Sequence, residues 1–577
     1  MKEKTVYFSL LKKFCDGLIA LQDTSSDPAF RGGIRCRSCK TIHGRCPDGV
    51  FAFVELYKLT GEKKYLDAGL DVFAYGDNLL CEDGGLYNDA QTTWRYTTTF
   101  HLIAVVEAYL AGQEILPQDA KEKFRDRIVR MAEWLYRNLD EKSPANINYS
   151  TTNGLALALA GKFLCNADYL RQAKRLTDYA MAHFTENGFL YGESKPHDKK
   201  SALGLYGIDL GYNAEESVPA LVKYACLVGD EGMKDKLSKV LARQAEFLFP
   251  DGGWDNSFGN RNNKWTYWGS RTSDGCAPAY LLLADRDPSF AEVALRNTLL
   301  LERCTEGGLL YGGPHYRRHG EYACSHHTFE HANALAYALE NIDEKYLAPE
   351  RVSLPSEGKS FLRYYPEIHT YKMSEGEYSA TVTGYDFDIA FSGHASGGTL
   401  TALYSRRVGP MVMASVNEYI LVEPTNMQQV KDIVHHRPLT PRLSAERGGK
   451  LYQSCFFAQM QMCADEAARR VCVQTGLADR TGKVLEGAQP EIVYTLRREG
   501  LEIGIRKAFS MQFILPLIAG SARVLEGTLV RREPIFFLTG GFMADELTIE
   551  PSPEGSLRIF ISSDADENGG EADRAQV

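Results

Sequence analysis

No apolar run in the 577-residue chain reaches the roughly 18 residues a membrane helix needs. The first residues, MKEKTVYFSLLKKFCDGLIALQD, lack the apolar core and small-residue cleavage site of a secretory leader. An excess of positive charge is also missing. Lys and Arg total 65 against 75 Asp and Glu, a net charge of −10, which excludes a nucleic-acid binder working through a broad basic surface but permits a local basic pocket. A disulfide framework is absent too. The 13 cysteines are odd in number and scattered through apolar helices, which suits a reducing compartment. A cytoplasmic location, no membrane partner and no nucleic-acid partner are therefore expected, and a homo-oligomer is neither required nor excluded.

Tryptophan is scarce, and three of the five residues, Trp254, Trp265 and Trp268, fall in one stretch at 251–274. Glycine and asparagine interrupt this stretch too often for a helix or regular strand. It also carries Asp255, Asp274, Arg261 and Arg271. Aromatic faces beside carboxylates and arginines suit a sugar, whose C–H faces stack on rings and whose acid groups pair with guanidinium.

Apolar spacing predicts twelve helices, at roughly 5–22, 47–60, 64–80, 97–112, 118–139, 150–164, 167–184, 213–228, 231–248, 273–285, 288–304 and 327–340. Even-numbered helices are followed by short turns and odd-numbered ones by long loops. Four long loops open on a related signature: EDGGLYND, ENGFLYGE, PDGGWDN and EGGLLYGG. A helical-hairpin repeat of about 50–60 residues follows. Six hairpins imply an (α/α)6 toroid over 1–345 with the even helices inside and the long loops at one mouth. Beyond it, short alternating runs such as EYSATVTG, EIVYTLRR and SLRIFISS predict an antiparallel β-sandwich over 346–562. The acidic, glycine-rich end at 563–577 reads as a disordered tail.

The mouth loops supply the candidate chemistry: His43 and Arg45; Asn88, Asp89, Trp94 and Arg95; Asn148; Asp209, Tyr212, Glu215 and Glu216; Trp254, Asp255, Trp268 and Arg271; His315, His326 and His327. Structural roles compete. Asn213-x-x-Glu216 fits a capping box, and Asp255 fits a local Asx-turn. Two reactions on a uronic-acid sugar fit the rest. Hydrolysis needs two carboxylates about one glycosidic bond, with Asp255 and Glu215 or Glu216 as the pair and Asp209 and Asp274 in reserve. β-Elimination needs a Tyr or His to take the proton α to the sugar carboxylate and Asn or Arg to neutralise that carboxylate; Asn148, Tyr212 and His326 would serve. Arg45, Arg95 and Arg271 could pair with the acid group in either case. No cofactor is expected. Cys36, Cys39, His43 and Cys46 carry zinc-ligand side chains at tight spacing, and His327 with His331 has the spacing of a helical metal pair without a supporting carboxylate; the preferred reading is no metal.

The toroid-then-sandwich order, GYNAEES opening an inner helix, and GHASGGTLTALYSRRVGPMV resemble the heparinase II/III polysaccharide lyases. IHGRCPDGVF, WGSRTSDG and GGPHYRRHG…HHTFEHA are more similar to glycoside hydrolase family 154, a β-glucuronidase family. The second resemblance implies an exo-acting glycosidase that releases terminal β-glucuronic acid from oligosaccharides or glucuronides. The first implies a lyase with an Asn, a Tyr and a His, for which Asn148 or Asn153, Tyr212, and His315 or His326 are the matches. A non-catalytic glycan-binding protein is the third reading.

Overall fold

Twelve principal helices build the N-terminal part of the computed structural model, which is described for residues 2–564 apart from 89–91, 144, 389–392, 394 and 422–434. Asp89, the His394 position in GHASGG, and the predicted tail from 565 onward lie outside the described residues. The helices are α1 (Val6–Ile19), α2 (Val50–Thr60), α3 (Lys63–Tyr75), α4 (Thr98–Ala111), α5 (Gln118–Asn138), α6 (Ile147–Phe163), α7 (Ala167–Met181), α8 (Val218–Val228), α9 (Glu231–Ala245), α10 (Ala277–Leu282), α11 (Pro288–Arg303) and α12 (Ser325–Asn341).

The even helices form the inner ring. Each packs on the next, α2 to α4, α6, α8, α10 and α12, and α12 returns to α2 and closes the circle. Composition explains the sorting. The inner α4, TTFHLIAVVEAYLA, is buried on nearly all sides. The outer α7, ADYLRQAKRLTDYAM, buries one stripe (Tyr169, Ala173, Leu176, Ala180) and leaves its charges to solvent.

The repeated loop signature is a left-handed glycine turn. Gly84, Gly188 and Gly252 have φ of 95°, 85° and 94°, a region that costs other residues strain. Each turn folds back into a short bridge: Leu80 with Leu86, Phe184 with Leu190, and Leu248 with Trp254.

Among the described residues, three antiparallel sheets make up the C-terminal part. One runs Gly409–Met413, Thr399–Ser405, Tyr378–Thr383, Thr370–Glu375, Phe361–Tyr365 in spatial order. A second contains Lys450–Gln453, Arg442–Arg447, Gln512–Leu517, Phe542–Glu550 and Thr528–Phe537, and the third has six strands from Gln461–Asp465 to Ser521–Glu526. Alternating inward residues, such as Val382, Leu403, Phe513, Ile503 and Ile559, make their common core.

The sandwich sits on the long-loop end of the toroid. Lys372 pairs with Asp255 at 2.8 Å, the Tyr385 hydroxyl accepts the Ile208 N–H at 2.7 Å, and Gly540 N–H donates to the Trp265 carbonyl at 3.2 Å. The toroid core continues across this boundary into Tyr365, Tyr385, Phe537 and Phe542. The loops expected to form an open mouth thus serve largely as a seat for the second domain. Among the described residues no helix is long and apolar enough to cross a membrane.

Candidate active site

All six inner helices begin at the end facing the sandwich, so their positive dipole ends converge there. Asn148 stands in the first turn of α6. The chain enters α8 by an unusual route. Asp209 caps a short turn at Leu210–Tyr212 by accepting the Tyr212 N–H at 3.0 Å, and a π-helical turn over Asn213–Ser217 follows. Such turns add a residue and re-aim side chains, often at functional sites. The predicted Asn213–Glu216 capping box does not form. Asp209 already holds the cap, Asn213 donates to the Leu190 carbonyl at 2.9 Å, and Glu216 accepts a hydrogen bond from the Asn148 amide.

Glu216 heads a buried row of acids along the ring axis. Asp274 faces it, Asp274 hydrogen-bonds Glu330, and Glu330 pairs with Arg45 at 2.6 Å. Arg45 also pairs with Asp48 at 2.9 Å, and Asp48 meets His101 at 3.2 Å. Deeper in the same cavity Lys223 pairs with Glu107 at 3.3 Å. The acids outnumber the cations, and burial penalises charge. Desolvation, with Asp274 adding repulsion, pushes the Glu216 carboxyl up to about 8. Burial also drives Glu330 well above the ordinary carboxylate range. At neutral pH the Glu216 carboxyl is therefore a neutral donor.

Tyr212 directly precedes the π-helical turn that carries Glu216. Its hydroxyl hydrogen-bonds the Thr272 hydroxyl. The Arg261 guanidinium covers its ring 3.5 Å from the centroid, pairs with Glu193 at 3.0 Å, and also acts electrostatically on Glu216. A cation thus stands beside the ring on which a phenolate would form. His326 accepts from Arg45 at 3.2 Å and lies 3.4 Å from Glu330. His43 packs against His326 with ring centroids 4.5 Å apart.

Other sequence candidates are placed differently. Asp255 is fully buried and accepts from Lys372 at 2.8 Å and Thr381 at 2.6 Å, both on the sandwich. Glu215 accepts the Ser270 N–H at 2.8 Å and sits so close to Gly269 that a Cβ there would overlap its carboxylate. Arg271 donates to the Tyr316 hydroxyl and to the Leu538 carbonyl across the domain boundary. Arg95 pairs with the exposed Asp83 at 2.9 Å. Trp94 donates to the Tyr149 hydroxyl at 3.1 Å. Trp268 donates to the Tyr311 carbonyl at 2.8 Å, and Trp254 is fully buried. His315 accepts the Met543 N–H at 3.0 Å and is pushed down to about 4 by burial, with Arg318 adding to it. His327 meets the Trp268 ring edge-on at 5.4 Å. Asn153 is tied to Thr99 at 3.3 Å and the Leu139 carbonyl at 3.2 Å.

Sequence reasoning missed Asp48, Lys223 and Glu330. Their signal was a charge inside or next to an otherwise apolar inner-helix segment, as in VPALVKYACLV and HHTFEHA. Arg261 was noticed in its loop but was given no place in the site.

A helical toroid followed by an antiparallel β-sheet domain resembles the solved heparinase III structure. That structure superposes with a TM-score of 0.53 over 92% of this chain and 79% of its own, at 11% identity, a likeness of fold alone. The family itself comes from sequence. Residues 11–357 match the ulvan lyase N-terminal domain and 362–556 the ulvan lyase C-terminal domain. A broad-specificity ulvan lyase of Formosa agariphila is 34% identical over 541 residues, 91% of this chain and 84% of that protein. The chain belongs to the ulvan lyase family. This corrects the resemblance to glycoside hydrolase family 154, and with it the glycosidase and β-glucuronidase reading.

Proposed function

We propose that this protein is a polysaccharide lyase that cleaves a uronic-acid-containing polysaccharide of the ulvan type by β-elimination. The family match supports the reaction class, and the relative's substrate class supports the uronate. One structural observation carries the assignment of residues. Asn148 donates to Glu216 at the inner-helix N-termini, and Tyr212 directly precedes the π-helical turn that carries Glu216, whereas Asp255, half of the pair that hydrolysis would use, is paired with Lys372.

In this reading the sugar carboxylate lies against the Asn148 amide and the neutral Glu216 carboxyl. Both are hydrogen-bond donors at pH 7, and the converging helix dipoles favour the anion. Neutralising the carboxylate acidifies the proton at C5. The Tyr212 phenolate takes that proton, the C5–H electrons form the C4–C5 double bond, and the C4–O bond breaks with the leaving oxygen receiving a proton from the Tyr212 hydroxyl so formed. Arg261 stabilises the phenolate and draws the anionic chain. His326 is held by Arg45 and Glu330 and orients the neighbouring wall.

Incubation with ulvan and, separately, with p-nitrophenyl β-D-glucuronide tests the reaction. Unsaturated uronate absorbing in the ultraviolet, with no nitrophenol, is expected. Nitrophenol release without unsaturated product would reject elimination.

A further inference from the structure

The zinc-type residues noted in the sequence assemble differently in space. The hairpin formed by Arg35–Cys36 and Thr41–Ile42 carries Cys36 and Cys39 on its turn. Cys39 N–H donates to the Cys36 sulfur at 3.4 Å, and Lys40 takes a left-handed φ of 59° that tightens the turn. The third sulfur comes from the far end of the toroid. Cys324, the N-cap residue of α12, lies 3.7 Å from the Cys36 sulfur. The ligand atoms of Cys36, Cys39 and Cys324 all fall within 4.8 Å of one another. Cys46 is not in this group; its sulfur accepts the Ile34 N–H at 3.4 Å.

Thiolate sulfurs around zinc at about 2.3 Å span tetrahedral edges of about 3.8 Å. The 3.7 Å between Cys36 and Cys324 matches that edge and far exceeds the roughly 2.05 Å of a disulfide. A further zinc-type side chain follows one turn on, outside that group of three. His327 is the N3 residue of α12, and a side chain there reaches back toward the N-cap. It is 2% exposed, and its Nδ1 has no hydrogen-bond partner among the described residues. The imidazole and Cys36 lie within range of each other's charge.

We propose that Cys36, Cys39 and Cys324 bind one structural Zn2+ and that His327 Nδ1, which lies outside their 4.8 Å group, turns in to complete the ligand set. The pattern is Cys-x2-Cys from the hairpin with Cys-x2-His from α12. Binding displaces the three thiol protons and changes no oxidation state. The ion joins the first long loop to the last inner helix. It therefore pins the seam where the ring closes and fixes His43 and Arg45 against His326 and Glu330. The inference rests on thiol geometry and stands apart from the proposed reaction.

The test is elemental analysis of the untagged full-length protein purified with Zn2+ in the medium. About one zinc per chain is expected, falling at least several-fold in Cys39→Ser, Cys324→Ser and His327→Ala and persisting in Cys46→Ala. Cobalt-substituted wild type should show thiolate-to-cobalt charge-transfer absorption and tetrahedral d–d bands, which decides the matter even if the cysteine variants fail to fold. Wild type without zinc and without a cobalt–thiolate spectrum would overturn the proposal. So would zinc retained in Cys324→Ser, zinc lost in Cys46→Ala, or a Cys36–Cys324 disulfide in freshly purified protein.

Discussion

Glu216→Gln should make the protein more stable at pH 8 than wild type and nearly equal to it at pH 5. Burial and Asp274 raise the Glu216 carboxyl from 4.5 to about 8. A carboxyl raised on folding stabilises the native state fully below its unfolded pKa, and that contribution is lost as pH rises through the folded value. Each unit is worth about 1.4 kcal/mol, so the loss amounts to under about 1 kcal/mol at pH 5 and about 4 kcal/mol at pH 8. Glutamine cannot ionise, keeps the carbonyl that accepts from Asn148, and escapes the loss. Melting followed by circular dichroism at both pH values reads the difference. Activity adds a second readout. If the neutral carboxyl contacts the sugar, wild-type kcat/KM should fall above about pH 8 with ionisation of Glu216, while the variant's profile stays flat there. A stability difference independent of pH, or a less stable variant at pH 8, would refute the argument that Glu216 is protonated in the folded protein.

Tyr212→Phe should reduce kcat by about 10²- to 10⁴-fold with little change in melting temperature; near-normal turnover would remove Tyr212 from the proton transfer. Asp255→Ala leaves Lys372 charged and buried without its partner, and should cost about 3–5 kcal/mol in denaturant unfolding. A stable but inactive Asp255→Ala would return that residue to the chemistry. Arg271→Ala strips Tyr316 and the Leu538 carbonyl of a buried charged donor and should destabilise by about 1.5–3 kcal/mol, measured the same way; unchanged stability with weakened uronate binding would make it a substrate ligand instead.

The ring was legible in the sequence because local physics writes it there. Apolar residues all around α4 and a single stripe on α7 separate inner from outer helices, and the DGG turns mark the hairpin register through the left-handed φ of Gly84 and Gly252. Alternation likewise declared the sandwich. The proposed site was legible only in part. Asn148, Tyr212 and Glu216 were named, but their neighbours Glu330 and Lys223 are single charges in apolar helices, and no local pattern says that inner helices bring them to one axis.

Tertiary structure alone decided the rest. Asp255 and Arg271 carry the residue types of a sugar site, and their loop cannot show that a second domain, more than 100 residues later, supplies Lys372, Thr381 and the Leu538 carbonyl. The cysteines make the same point. Spacing grouped Cys46 with Cys36 and Cys39, while ring closure brought in Cys324 from 288 residues away. Propensity, periodicity and turn chemistry act over a few residues and are written locally. Which charges share a desolvated cavity depends on long-range packing, and that packing sets the protonation of Glu216.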